Sequence, residues 1–147
     1  MDYEQLLIDP GEAGIFARPP DAAALDAAAE RAGLARWVVD LAGVSTKEAL
    51  LATLGERLAF PEWFGDNWDA LNDALVERAW EQPNGVVLAL EHAGDLANAD
   101  PDTFERALEV LDSVAESCYD EDIPFWVFID GVDARAFDLP VLGERDE

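Results

Sequence analysis

Short apolar runs alternate along the chain with longer segments in which apolar residues recur every three or four positions, a pattern that predicts strands interleaved with helices. Residues 14–18 (Gly-Ile-Phe-Ala-Arg) read as a short strand. Pro19, Pro20 and Asp21 then open an alanine-rich helix that ends near Gly33, with proline and aspartate at its start and glycine at its stop. Residues 36–41 are β-branched and apolar and predict a second strand. Ser45 and Glu48 stand at capping-box spacing before a helix whose apolar stripe is Ala49, Leu50, Leu54 and Leu58. A further helix spans about 67–79, and Pro83-Asn84-Gly85 is turn chemistry. Residues 86–90 form a continuous apolar strand. Asp100 and Pro101 start another helix, with Phe104, Leu108, Leu111 and Ala115 on one face. Residues 124–129 (Pro-Phe-Trp-Val-Phe-Ile) are the last strand, its proline tolerated at the first position.

These strands are apolar on both faces, as expected where a parallel sheet is covered on both sides. The fold class is therefore α/β: a small parallel β-sheet of three core strands, plus a fourth near the N-terminus, covered by helices. Residues 1–35 read as an N-terminal strand–helix extension, 36–132 as the core and 133–147 as an acidic tail, within a single domain. Residues 1–12 and 133–147 are acidic and weakly patterned, which predicts loose termini. Trp37, Trp68 and Trp126 read as core residues, and Cys118 as a buried small hydrophobe. Trp80 ends its helix and reads either way.

Charge changes the picture of function. The 147 residues carry 33 acids against 9 bases, a net charge of -24, and Lys47 is the single lysine. Nucleic-acid phosphates repel such a chain, so no direct nucleic-acid binding is expected and basic proteins are the partners it would be steered toward. An acidic, lysine-poor source proteome accounts for the bulk charge equally well. It does not account for local alignment of acids beside aromatics. Half of the residues are hydrophobic, enough for a globular core, but no apolar stretch reaches 18 residues, so no membrane association is expected. The acidic start Met-Asp-Tyr-Glu has the wrong sign for a secretory leader. A lone cysteine forms no internal disulfide. Together these predict a cytoplasmic protein.

The segment 60–75 concentrates the candidate chemistry. An aromatic loop (Trp63, Phe64, Gly65) runs straight into a helix on which Asp69 and Asp73, four residues apart, share one face. Trp68, Leu71 and Leu75 form the opposite, apolar stripe. Of the loop aromatics, Phe64 reads as the buried one. Asn67 or Asp66 is placed to cap the helix. Glu77 extends the acidic face. Such a surface suits a cationic partner better than it suits bond breaking. No nucleophile–base arrangement or glycine-rich phosphate loop is present, and His92, the single histidine, reads as structural, so the chain is not expected to be an enzyme. Asp66-Asn67-Trp68-Asp69 lacks the alternating oxygen ligands, the glycine and the terminal glutamate of a calcium loop, and no metal or cofactor is expected.

The run from Phe60 through Pro61, Glu62, Trp63, Phe64, Gly65, Asp66, Asn67, Trp68, Asp69, Ala70 and Leu71 to Asp73 resembles the signature of the barstar family, intracellular inhibitors of small secreted ribonucleases. The order of strands and helices from about 36 to 130 fits the same family, and residues 1–35 look like the added strand and helix of its longer relatives. The resemblance implies that this helix and the loop before it plug a nuclease active site. Asp73 matches the position whose carboxylate takes the substrate phosphate site, and Asp69 a second acid that meets basic residues there. Trp63 matches an aromatic that packs on the enzyme's catalytic histidine. Gly65 and Asn67 match loop positions near the contact, and Glu116 matches a further acid that pairs with an enzyme arginine. Asn72 departs from the tryptophan of the type member, and Trp63 replaces a tyrosine, keeping the stacking face without the hydroxyl. The expected function is a ribonuclease inhibitor of the toxin-immunity type, with a barnase-like or other toxin nuclease as partner. The alternative is a non-inhibitory acidic module that binds a basic protein.

Overall fold

A computed structural model describes residues 3–19, 21–60 and 67–141. The elements run α1 (Tyr3–Leu7), a 3-10 turn (Pro10–Glu12), β1 (Ile15–Ala17), α2 (Ala22–Ala32), β2 (Ala35–Asp40), α3 (Lys47–Arg57), α4 (Trp68–Trp80), β3 (Val86–Glu91), α5 (Gly94–Ala99), α6 (Pro101–Asp120) and β4 (Phe125–Ile129). The four strands pair in parallel in the order β1-β4-β3-β2. The expected architecture is therefore the observed one, with the N-terminal strand added at the β4 edge.

Alternate residues of the central strands face opposite layers, as pleating requires. Val86, Leu88 and Leu90 of β3 and Phe125, Val127 and Ile129 of β4 join the larger core, under α3, α4, α5 and α6. Val87, Trp126 and Phe128 face the other way, into a smaller core closed by Tyr3, Leu7, Leu25, Ala28 and Ala29 of α1 and α2. In that smaller core the Trp126 and Phe128 rings stack with centroids 6.0 Å apart, and Phe16 of β1 lies 5.5 Å from Trp126.

Helix boundaries follow from side-chain chemistry. Gly33 ends α2 in the left-handed region (φ 80°), where a residue without Cβ is unstrained. Thr46, not the expected Ser45, caps α3: its hydroxyl accepts from the Ala49 amide at 3.1 Å. The hydroxyl pattern was legible one residue out of place. Asp100 caps α6, accepting from the Thr103 amide, with Pro101 in the first turn. The buried face of α6 is Phe104, Ala107, Val110, Leu111, Val114 and Cys118, while Leu108 and Ala115 are only half-buried. α5, between β3 and α6, has no counterpart among the expected helices; its six residues are too few to display a periodicity.

Three expectations change. β2 is an edge strand of the sheet, and its Arg36, Val38 and Asp40 are exposed while Val39 is buried, so it is not apolar on both faces. Trp37 of β2 is half-buried rather than core, with the Arg78 guanidinium 5.9 Å from its ring. The chain ends are also not loose where they are described. Tyr3 and Leu7 are buried, the Tyr3 hydroxyl donates to Asp21, and the Trp126 indole donates to the Leu7 carbonyl at 3.0 Å. At the other end Phe137 packs edge-on against Phe104 at 4.7 Å, and the Ala17 amide donates to the Pro140 carbonyl at 2.8 Å. Each segment is anchored by one or two apolar side chains too widely spaced to register as a pattern.

Candidate functional site

Helix α4 starts at Asn67, whose extended backbone lets its side-chain oxygen accept the Ala70 amide at 2.8 Å. That bond satisfies one of the amides every helix start leaves unpaired. From this start the 3.6-residue repeat sends Leu71, Ala74, Leu75 and Ala79 into the core. Trp68 is half-buried against the core rather than fully inside it, with the Lys47 ammonium 5.4 Å from its ring centroid. Its capture of the single lysine ties the start of α3 to the start of α4.

The helix repeat leaves Asp69, Asp73 and Glu77 exposed on the outer side. Among the described residues no ion pair involves any of the three, whereas Arg18, Arg31, Arg36 and Arg106 are each paired with an acid elsewhere. Asn72 is half-buried beside them. Its amide nitrogen donates to the Asp73 carboxylate over 3.5 Å, a long and weak bond. Its oxygen is buried with no hydrogen-bond partner among the described residues.

Asp69, Asn72 and Asp73 line, with Trp68, a groove of about 460 Å³ between α4 and α6. The facing wall is Arg106, Glu109 and Ser113 over Val110. Arg106 is bound to Glu109 of its own helix at 2.8 Å, so the local cation is occupied and the two α4 carboxylates stay open. Arg106, Glu109 and Ser113 were not among the expected site residues. Nothing in their spacing reveals that α6 packs beside α4, and only the tertiary contact brings them in.

The remaining expected residues are distributed. Glu77 is exposed one turn beyond Asp73, outside the groove. Glu116 is exposed on α6 and lines a neighbouring groove with Pro10, Gly11 and Tyr119, so it is not brought together with Asp69 and Asp73 in one pocket. Trp63, Phe64, Gly65 and Asp66 lie outside the described residues. Trp80 resolves to the surface, 51% exposed at the end of α4. It stands about three helical turns from Asp69, on the same side.

Chemically, the groove offers carboxylates that accept hydrogen bonds from guanidinium or ammonium groups. His92 follows β3 and lines a different pocket, with Ala42, Gly94, Asp95 and Gly131, and Cys118 is fully buried, its thiol pushed up to about 11 by burial. Neither is placed to act as base or nucleophile beside Asp69 and Asp73. No helix among the described residues is long and apolar enough to cross a membrane.

No curated protein matches the chain in sequence. The family described as Barstar (barnase inhibitor) matches residues 34–130, a stretch that holds β2, α3, α4, β3, α5, α6 and β4. With more than half of its 147 residues matched, Asp69 and Asp73 among them, the chain belongs to the barstar family, whose description is that of an inhibitor and not of an enzyme.

Proposed function

We propose that the chain inhibits a small basic ribonuclease by seating the outer face of α4, together with the loop before it, in the enzyme's active site. Asp73 then takes the place of an RNA phosphate among the enzyme's arginine, lysine and histidine side chains, and Asp69 meets a second cation. Trp63 and Gly65 belong to the loop that rims the contact, Asn67 and Asn72 border it on the helix, and Glu77 and Glu116 extend it. Glu116, in its separate groove, reaches the partner around the shoulder of α6.

The observation that carries this reading is the exposure of Asp69 and Asp73 on one face of α4, without ion-pair partners among the described residues, inside the segment matched by the family. Exposed ion pairs contribute about 1 kcal/mol or less. Close pairs shielded from water at an interface couple by a few kcal/mol. The barnase–barstar pair is itself the standard example of such coupling, so this magnitude comes by family likeness. Residues 1–35 extend the fold in this reading, 36–132 form the inhibitor core, and the protein acts in the cytoplasm as immunity against a toxin nuclease.

The test is RNA hydrolysis by a barnase-type ribonuclease titrated with the chain. Stoichiometric inhibition, relieved by excess mononucleotide competing for the phosphate site, supports the reading. Undiminished hydrolysis at a large excess of the chain contradicts it. The net charge of -24 favours one other reading, a non-inhibitory module for a basic protein. Binding that leaves hydrolysis untouched selects it.

A further inference from the structure

The carboxyl ends of β1, β2, β3 and β4 bring together a group of charged side chains that take no part in the groove between α4 and α6. Asp40 ends β2, Glu91 ends β3 and is followed by His92, Asp130 follows β4, and Arg18 follows β1. His92 Nδ1 lies 2.8 Å from Asp40 Oδ1, and the His92 amide donates to Asp130 Oδ1 at 2.6 Å. The other oxygen of Asp130 accepts from Arg18 at 3.1 Å, and Arg18 also reaches Glu91 at 3.4 Å. His92 itself sits in the left-handed region (φ 56°), a conformation uncommon for a residue with a side chain. Its strain is held by the Asp130 bond and by the close approach of Gly131, at φ 83°, to the His92 and Ala93 backbone. Among the described residues no three His, Cys, Asp or Glu side chains converge as metal ligands would. The group is a chain of ion pairs and not a cage.

Asp40, with Asp95 of α5, also holds the loop between β2 and α3. Asp40 Oδ1 accepts from the Ala42 amide at 2.9 Å, and Asp95 at the start of α5 accepts from the Gly43 amide at 2.7 Å. One carboxylate oxygen of Asp40 thus serves both the loop and the imidazole.

We propose that this edge is a proton-operated clasp, in which the protonated imidazole of His92 ties the end of β2 to the end of β3 through Asp40 and loosens when it becomes neutral, while the His92 amide holds Asp130 after β4 in either state. The groups facing the imidazole are Asp40 on β2, Glu91 beside it on β3 and Asp130 after β4, and Asp95 of α5 lines the same pocket, with Arg18 neutralising part of Glu91 and Asp130 and Arg57 of α3 acting on Asp40. The Asp40 hydrogen bond and charge, helped by Asp130 and Glu91, hold the imidazole above its ordinary 6.5. The Ala42 amide and then His92 hold Asp40 below its ordinary 3.8. A histidine whose folded value is raised contributes stability that is full below 6.5 and is lost as pH rises through the folded value. An aspartate whose folded value is lowered contributes stability above 3.8 that is lost as pH falls through the folded value. The clasp is therefore strongest in mildly acidic solution.

With a single histidine, the chain reports on itself. The ring C–H resonance of His92 is followed against pH in the wild type, Asp40→Asn and the remote exposed control Asp112→Asn, and melting temperatures of wild type and His92→Gln are compared at about pH 5.5 and 8.5. The clasp predicts a midpoint above the ordinary histidine value, lowered more by Asp40→Asn than by Asp112→Asn. It also predicts that the wild type's advantage over His92→Gln is larger at the lower pH. Equal shifts from the two aspartate variants would reduce the effect to overall charge and overturn the proposal. A melting difference that does not change with pH would do the same.

Discussion

Asp69 and Asp73 owe their position to residues that never meet a partner. Leu71 and Leu75 fix which side of α4 faces inward, and the carboxylates are outward because these leucines are buried. Asp73→Ala should therefore cost affinity without cost to the fold, and circular dichroism should be unchanged. Asn72 is a different kind of residue. Its oxygen is buried without a hydrogen-bond partner among the described residues. Cys118 gives a separate check on the core. With no exposed surface and its thiol raised to about 11, it should resist alkylating reagents in the native protein at about pH 8 and react readily in denaturant. Rapid native-state modification would contradict the packing of α6.

At the scale of elements, caps and short anchors decide more than stripes do. Asn67→Ala removes the bond to the Ala70 amide and should destabilise the protein by about 1 kcal/mol, read as a lower denaturation midpoint with an unchanged slope. Leu7→Ala, in a segment that looks unstructured by composition, should cost about 2–5 kcal/mol, because Leu7 is fully buried and its helix supplies the carbonyl that accepts the Trp126 indole. A stability change within about 0.5 kcal/mol would mean that α1 is not docked on the sheet.

These elements also explain what the sequence made legible. β3 and β4 are buried on both sides, so their apolar runs are continuous and unmistakable. β2 is an edge strand whose outer residues α2 covers only in part, Arg36 pairing with Asp26 of α2 while Val38 and Asp40 stay exposed. Its alternation of Arg36, Val38 and Asp40 was present in the sequence but was outweighed by Trp37, Val39 and Leu41. α1 and α5 are too short for periodicity, and the tail's Phe137 and Leu139 are isolated apolar residues in acidic surroundings. The acid pair of the site was readable because it lies on one helix at fixed spacing. The opposing wall of Arg106, Glu109 and Ser113 was not, because it depends on how two helices pack.

On the scale of the whole molecule, the sheet divides the core into two unequal layers, and the family match covers β2, β3 and β4 with the helices that close the larger layer. The extension of α1, β1 and α2 covers Val87, Trp126 and Phe128, apolar surface that would otherwise face water. The net charge of -24 acts over longer distances than any contact. Association with a basic nuclease should be steered by it, and the on-rate should fall roughly tenfold or more from low to high salt while dissociation changes less. An on-rate indifferent to salt would contradict electrostatic steering.

The central claim is that a carboxylate on α4 stands in for RNA phosphate. Its most direct measurement is the calorimetric affinity of wild type and Asp73→Ala for one barnase-type ribonuclease. The predicted result is tight binding by the wild type and a loss of about 2 kcal/mol or more in the variant, with both chains equally folded. Equal affinity of the two chains, or no binding by the wild type, would contradict it.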